Sequence, residues 1–505
     1  MYTFSSKLKN LSFILMLLGA LGIGYGFFNA PKNTQEVEAI LAAGHGEHGA
    51  ATEAHATADH ATKAKHDAAP AHEEESHKEE IVVKDSAHAV VSNLESIANG
   101  VEEAHTAVAV VDAPAHEAHN ADSKGHEVAE HDAHAEHVEH VEHVFHQLQN
   151  KPWAALYVAA LFFMLISLGV LAFYAIQHAA QAGWSPVLFR VMEAITSYLV
   201  PGAIIVYVLL VLSSLHFNHL FVWMDPEVVK HDELIQGKSG YLNVPFFLIR
   251  AAIFMGGWIF YRQYTRKNAL LLDETNDATY YKKNFKASAA FLAFFLVSES
   301  MMSWDWIMSV DPHWYSTLFG WYVFASFFVS GITVIALTTL YLKSKGYLEN
   351  VNNSHLHDLA KFMFGISVFW TYLWFSQFML MWYANIPEEV TYFKFRIEHY
   401  NLPFFGMVAM NFVFPILILI NTDFKRVPCI ISMAGIVILC GHYLDFHNMI
   451  YPATVGDQWF IGVSEISSIL FFAGLFIFVV FTTLTKEPLF PKGNPLIEES
   501  KHFHY

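Results

Sequence analysis

SESMMSWDWIMSVDPHWYSTLFGWY, residues 298–322, decides how this chain folds. Two strongly apolar segments meet here through the short turn Ser309-Val310-Asp311-Pro312, and Trp304, Trp306, Trp314, Tyr315, Trp321 and Tyr322 crowd around it. Trp and Tyr favour the membrane–water boundary, which accommodates both an apolar ring and a polar tip. Asp-Pro ends a helix, because proline lacks the N–H and disfavours helical geometry in the residue before it. One membrane helix therefore surfaces at this turn and the next returns at once. Glu299 falls inside the first of them, where a carboxylate is costly and marks a functional candidate.

Outward from this turn the composition agrees. Of 505 residues, 54% are hydrophobic and only 15% are charged, whereas about a quarter are charged in soluble domains. Apolar runs predict spans at about 153–178, 186–215, 243–262, 287–309, 315–342, 358–384, 402–422, 427–447 and 461–485. Lys7 and Lys9 precede a further run, Leu11 to Phe28, which reads as a retained first helix rather than a signal peptide, since no good cleavage site follows it. The fold class expected is an all-α integral membrane protein of about ten transmembrane helices. Pro201-Gly202 should bend the third helix and Pro415 the eighth.

The formal charge of −18 lies in one place. Residues 31–150 hold 24 Asp/Glu against six Lys/Arg, a net of −18, so the rest of the chain is neutral. This segment is low-complexity and rich in Ala, His and Glu. Within it His131, His134, His137, His140, His143 and His146 recur at every third position. Imidazoles so spaced are weak metal-ligand candidates, His131, His134, His137 and His140 foremost, but a three-residue period drifts around a 3.6-residue helix and fixes no tetrahedral set. A solvated spacer is the preferred reading. The expected organisation is then a first helix (1–30), the acidic segment (31–150), a membrane domain of nine helices (151–485) and a tail (486–505).

Basic residues in short loops set the orientation. Arg262, Arg266, Lys267, Lys282, Lys283, Lys286, Lys343, Lys345, Lys425, Arg426, Lys486 and Lys492 all fall on one side, together with Lys7 and Lys9. That places both termini in the cytoplasm and the His-rich segment outside.

Polar residues inside the spans carry whatever chemistry the chain has. They are Glu193, Arg250, Glu299, Asp305, Gln377, Asn411, His442, Asp445 and Glu465. His442 and Asp445, three apart, share a helix face. Such a set suits a proton path, with Glu299, Asp305, His442, Asp445 and Glu193 as candidates; the alternative is polar glue between helices. His216 and His219, with His442 and His447, are expected near helix ends at the outer face, where they read as ordinary hydrogen-bonding groups rather than haem ligands. Cys429 and Cys440 read as buried free thiols. No phosphate-binding loop, nucleophile elbow, haem attachment site or zinc ribbon occurs, and nothing points to nucleic acid.

The stretches WDWIMSVDPHWYSTLFGWYVFASFFVSG (304–331) and FWTYLWFSQFMLMWYANIPEEVTYF (369–393) resemble one membrane subunit of bacterial alternative complex III, a quinol:cytochrome c oxidoreductase. That subunit, ActF, is similar to the NrfD-type membrane subunit of polysulfide reductase. The resemblance covers about residues 153–485 and the first helix, and leaves out the His-rich segment. It implies two four-helix bundles, spans two to five and six to nine, flanked by spans one and ten. It implies an inner-membrane location and, as partners, a related NrfD-like membrane subunit, an iron–sulfur subunit, c-type cytochrome subunits and often a cytochrome oxidase, among lipids. Haem c and iron–sulfur clusters would belong to those partners and none to this chain; menaquinone would turn over in the related subunit, and no full quinone-site set maps onto these residues. Two rivals stand beside this reading: a metal-ion transporter with the His-rich segment as collector, and a membrane cytochrome b.

Overall fold

A computed structural model describes residues 2–38 and 124–504. They hold ten helices long and apolar enough to cross a membrane: α1 (Ser6–Phe28), α2 (Lys124–Ala179), α3 (Pro186–Ser214), α4 (Val244–Thr275), α5 (Ala278–Trp306), α6 (Phe319–Ser344), α7 (Asn353–Ala384), α8 (Asn401–Leu419), α9 (Pro428–Val455) and α10 (Val463–Leu484). The chain is an all-α integral membrane protein. In lipid only a helix or a closed barrel satisfies every backbone group internally, so apolar runs of this length become helices. By contact the chain divides into residues 1–37 with 142–505, and residues 38–141; the first of these is described below.

Several helices outrun their apolar cores. α4 ends at Thr275 and α5 starts at Ala278, with Asn276 left-handed (φ 54°) between them and the Asp277 carboxylate capping the Thr279 N–H. A hydropathy pattern reports only the part in lipid, which is why the expected bounds stopped short at 262 and began late at 287. α6 begins at Phe319 rather than 315, because a 3₁₀ turn (Met308–Val310) and an irregular stretch fill the Asp-Pro junction. α2 runs unbroken through Pro152 from the polar segment into the membrane.

Both prolines follow a break in the regular α-helical pattern. In α3 a 3₁₀ turn at Thr196–Tyr198 precedes Pro201, whose missing N–H cannot serve the Ser197 carbonyl. In α8 a π-helical turn, Ala409–Val413, precedes Pro415 and re-aims Asn411, the residue four before it.

Two rings of four helices result. α2 meets α3 through a Ser167 hydroxyl donating to the Ile195 carbonyl at 3.2 Å. α3 packs on α4, and α4 on α5 along its length. The ring closes where the Tyr157 hydroxyl of α2 donates to the Trp306 carbonyl of α5 at 2.8 Å. The second ring is α6 on α7 and α9, α8 on α9, and α7 on α8. α2 and α6, each 89% buried over its apolar stretch, are the central pair. Their backbones nearly touch: a Cβ on Gly331 would sit 2.9 Å from the Val170 nitrogen, and one on Gly169 2.6 Å from the Phe327 oxygen. Small residues permit such approaches, and in lipid close packing is the main attraction between helices. α1, only 17% buried, lies outside the rings against α10.

The two ends of the bundle differ. At one, Trp314 stacks on Tyr392 of a surface helix (Pro387–His399) at 4.0 Å, tying the second ring to the Asp-Pro junction. At the other, the C-terminal tail straps both rings: Ser500 donates to the Trp184 carbonyl at 2.7 Å, and Asn352 to the Phe503 carbonyl at 2.6 Å. Cys429 and Cys440 are free thiols as expected but exposed on the outer surface of α9 rather than buried. α9 turns its polar side inward, and they fall on the opposite, apolar side.

Candidate functional site

The second ring encloses a polar cluster to which all four of its helices contribute. Asp445 on α9 is wholly buried and accepts from two neutral donors: the Tyr322 hydroxyl of α6 through a very short bond, and the Trp370 indole N–H of α7 at 2.8 Å. One turn away His442, also wholly buried, presents Nδ1 to the Ser326 hydroxyl of α6 at 2.9 Å, the Asn411 amide of α8 at 3.4 Å and Asp445 at 3.6 Å. The π turn places Asn411 over Gly441, where a Cβ would come within 2.1 Å of its oxygen. His442 Nε2, Asn411 Oδ1 and Gln377 Nε2 are buried and meet no protein partner.

Farther along α9 lies a second group. His447 is fully buried, stacks on Tyr451 at 3.8 Å, and has neither ring nitrogen partnered by protein. Tyr451 donates to Glu465 of α10 at 2.9 Å, and the other oxygen of Glu465 accepts the Gly462 N–H at 2.7 Å. Beside the Asp445 cluster a cavity of about 10 Å³, bounded by Tyr322, Gln377, Arg396 and Asn448, has room for about one water.

The other predicted residues lie in different surroundings. Asp305 on α5 is closed off: Arg250 of α4 holds it by two bonds, Nε to Oδ2 at 2.7 Å and Nη2 to Oδ1 at 2.9 Å. The guanidinium stands 4.0 Å from the Tyr241 ring centre and 4.1 Å from that of Phe246. Burial, and then Asp305, push the Tyr241 phenol above its ordinary range, so it stays protonated. Glu299 is buried and bonds only within its own helix, to Ser303 at 3.2 Å and Ser300 at 3.3 Å. Glu193 lies at the end of the tail strap, held by Arg190 at 2.6 Å, Arg266 at 3.1 Å and the Tyr174 hydroxyl at 3.0 Å. Of the five carriers expected, only His442 and Asp445 come together.

His442 and His447 sit on one helix, α9, and His216 and His219 lie just past the end of α3. α9 continues to Val455, which puts His442 about 20 Å below its end instead of at the outer face. No group of three metal-ligating side chains occurs among the described residues. His131, His134, His137 and His140 ride on the helical stretch that begins at Lys124, and their side chains lie outside the described part.

Tyr322, Ser326 and Trp370 were missed in the sequence. Tyr322 and Ser326, four apart on α6, share a face, and that spacing of hydroxyls inside an apolar span was the available signal. The fold and cluster define a polytopic helical membrane protein with a buried, neutral-donor carboxylate site. No family model and no curated protein matches this sequence.

Proposed function

We propose that this chain is the ActF-type, NrfD-like membrane subunit of a quinol:cytochrome c oxidoreductase complex of the respiratory chain, with scaffold and proton-conducting roles. The observation that carries the proton role is Asp445, a membrane-buried carboxylate held by Tyr322 and Trp370 with no cation bonded to it. A carboxylate held by neutral donors can take up and release a proton without abandoning a buried counter-charge, whereas Asp305 cannot. His442 and His447 add hydrogen-bonding capacity that no protein group uses, as a relay through water requires. The complex itself is suggested by the two aromatic-rich stretches at 304–331 and 369–393.

On this reading the chain sits in the bacterial inner membrane with both termini cytoplasmic, since the basic loops share that side. Redox groups belong to the partners: iron–sulfur clusters, haem c, and menaquinol oxidised in the related subunit.

The test begins with affinity purification in mild detergent and mass spectrometry of what accompanies the chain. A multihaem cytochrome c, an iron–sulfur protein and a second ten-helix subunit are expected; the chain alone, or metal-handling proteins, would overturn the assignment. The purified assembly carrying Asp445→Asn is then reconstituted in vesicles. Electron transfer should persist while protons moved per electron fall; an unchanged ratio removes the proton role.

A further inference from the structure

We propose that the Arg262–Lys267 end of α4 binds the phosphate of an anionic phospholipid. The inference needs only the membrane fold, and stands or falls apart from the respiratory assignment. α4 presents one outward face at Ile249, Ile253, Gly256 and Phe260, of which the three side chains are 57, 56 and 70% exposed. These positions, four, seven and eleven residues on from Ile249, lie along one helix side, and the same side continues to Gln263 and Lys267. At Gly256 a Cβ would meet nothing within 4 Å, so the face has a notch where a methylene chain can lie against backbone.

This apolar face runs into a shallow groove of about 360 Å³ lined by Arg262, Gln263, Arg266, Lys267, Leu270 and Leu271. Depth fits a headgroup: Arg262 is 18 residues beyond Val244, a rise of about 27 Å, close to one hydrocarbon thickness.

The charges are unequally committed. Arg266 is engaged with Glu193 at 3.1 Å. Arg262, half-buried, makes only a 3.4 Å contact to the Thr196 hydroxyl, and no carboxylate of the described residues reaches it within ion-pair distance. Lys267 is exposed and bonded to nothing described. Two uncommitted cations and an amide at headgroup depth, above a lipid-facing groove, complement a phosphate with no cation attached to it. Arg262 supplies the planar fork that grips two phosphate oxygens, and Lys267 a point charge. A choline headgroup would bring its own cation against both.

The experiment adds dioleoyl-phosphatidylglycerol or dioleoyl-phosphatidylcholine to the full chain, purified in detergent with whatever partners it retains, and counts bound lipids by native mass spectrometry. Phosphatidylglycerol should be preferred by more than about tenfold, and Arg262→Gln or Lys267→Gln should each lower that preference about fivefold. Lys267 is on the surface, so its variant keeps the fold. Arg262→Lys preserves charge and should fall between wild type and Arg262→Gln. Equal retention of the two lipids overturns the proposal, as does an undiminished preference in the Arg262→Gln/Lys267→Gln double variant. Failure to hold any lipid because a partner helix covers the face overturns it too, and so does displacement by millimolar inorganic phosphate, which would mean that the lipid tails contribute nothing.

Discussion

Replacing Asp305 by Asn tests a fully enclosed, two-bond ion pair of the membrane domain. Both side chains are almost fully enclosed, Arg250 at 4% exposure and Asp305 at 0%. The variant keeps the shape of the carboxylate and one acceptor, but leaves a guanidinium between the Tyr241 and Phe246 rings with no counter-charge, only the remaining amide oxygen and the Tyr241 carbonyl, 3.2 Å away, to accept from it. Breaking a buried pair from one side costs about 3–5 kcal/mol, because the surviving charge is left uncompensated. The ring faces are already in place and offset about 1–2 kcal/mol of that burial in either protein, so they do not soften the difference. Removing both charges, as Arg250→Met with Asp305→Leu, should bring stability back to within about 1 kcal/mol of wild type. Thermal unfolding of wild type, Arg250→Met, Asp305→Leu and the double variant in detergent, followed by tryptophan fluorescence, supplies the four corners of a double-mutant cycle. A coupling of at least about 2 kcal/mol is expected. Additive single losses, or an Asp305→Asn loss below about 1 kcal/mol, would show that the pair does not hold α4 to α5.

Gly331→Val should be among the most damaging changes in the central pair, since its new atoms meet the Val170 nitrogen and the Ile166 oxygen, both backbone, at about 3 Å. A loss of roughly 1–3 kcal/mol or more, read as a lower midpoint in the same thermal assay, is expected, and unchanged stability would place α2 and α6 farther apart. In the loop after α3, burial and then the neighbouring His146 hold the His219 imidazole below its ordinary value, while Asp225 opposes them. With the folded value below the unfolded one, the stability His219 contributes is present above about pH 6.5 and is lost as pH falls. Wild type should therefore lose more stability between pH 8 and pH 5 than His219→Asn, and parallel curves would contradict this.

How much of this was legible follows from the range of each signal. Ten spans could be read because hydropathy is a property of consecutive residues, and Pro415 disclosed the α8 irregularity because a missing N–H acts four residues away. His442 and Asp445 were readable as a pair by their spacing of three. Arg250 and Asp305 stand 55 residues apart, and no local pattern says that two polar residues in different helices will meet. The same holds for Glu193 and Arg266, 73 residues apart, whereas Arg190, three residues before Glu193 on the same helix, was open to the spacing rule and went unread. Trp370 and Tyr322 were hidden for another reason: in a chain so aromatic, a ring that donates to Asp445 looks like one more ring of the interfacial belt.

Asp305 and Asp445 each lie in the fourth helix of their ring, Asp305 one residue from the end of α5 and Asp445 ten residues before the end of α9, and the contrast between their partners bears on where a proton can reside. Each ring also has a buried arginine stacked on a tyrosine nearby, Arg250 on Tyr241 and Arg396 on Tyr392 at 3.4 Å. In the first ring the arginine reaches the aspartate and neutralises it for good. In the second it turns to backbone, donating to the Asn448 carbonyl at 2.9 Å and the Tyr392 carbonyl at 2.7 Å, and leaves Asp445 to Tyr322 and Trp370. Protonating Asp305 would abandon a buried cation, at several kcal/mol; protonating Asp445 abandons none bonded to it. The first ring thus holds its aspartate with a cation and the second with neutral donors, and, on the proposed function, Asp305→Asn and Asp445→Asn should fail in different assays, the first in stability and the second in proton movement.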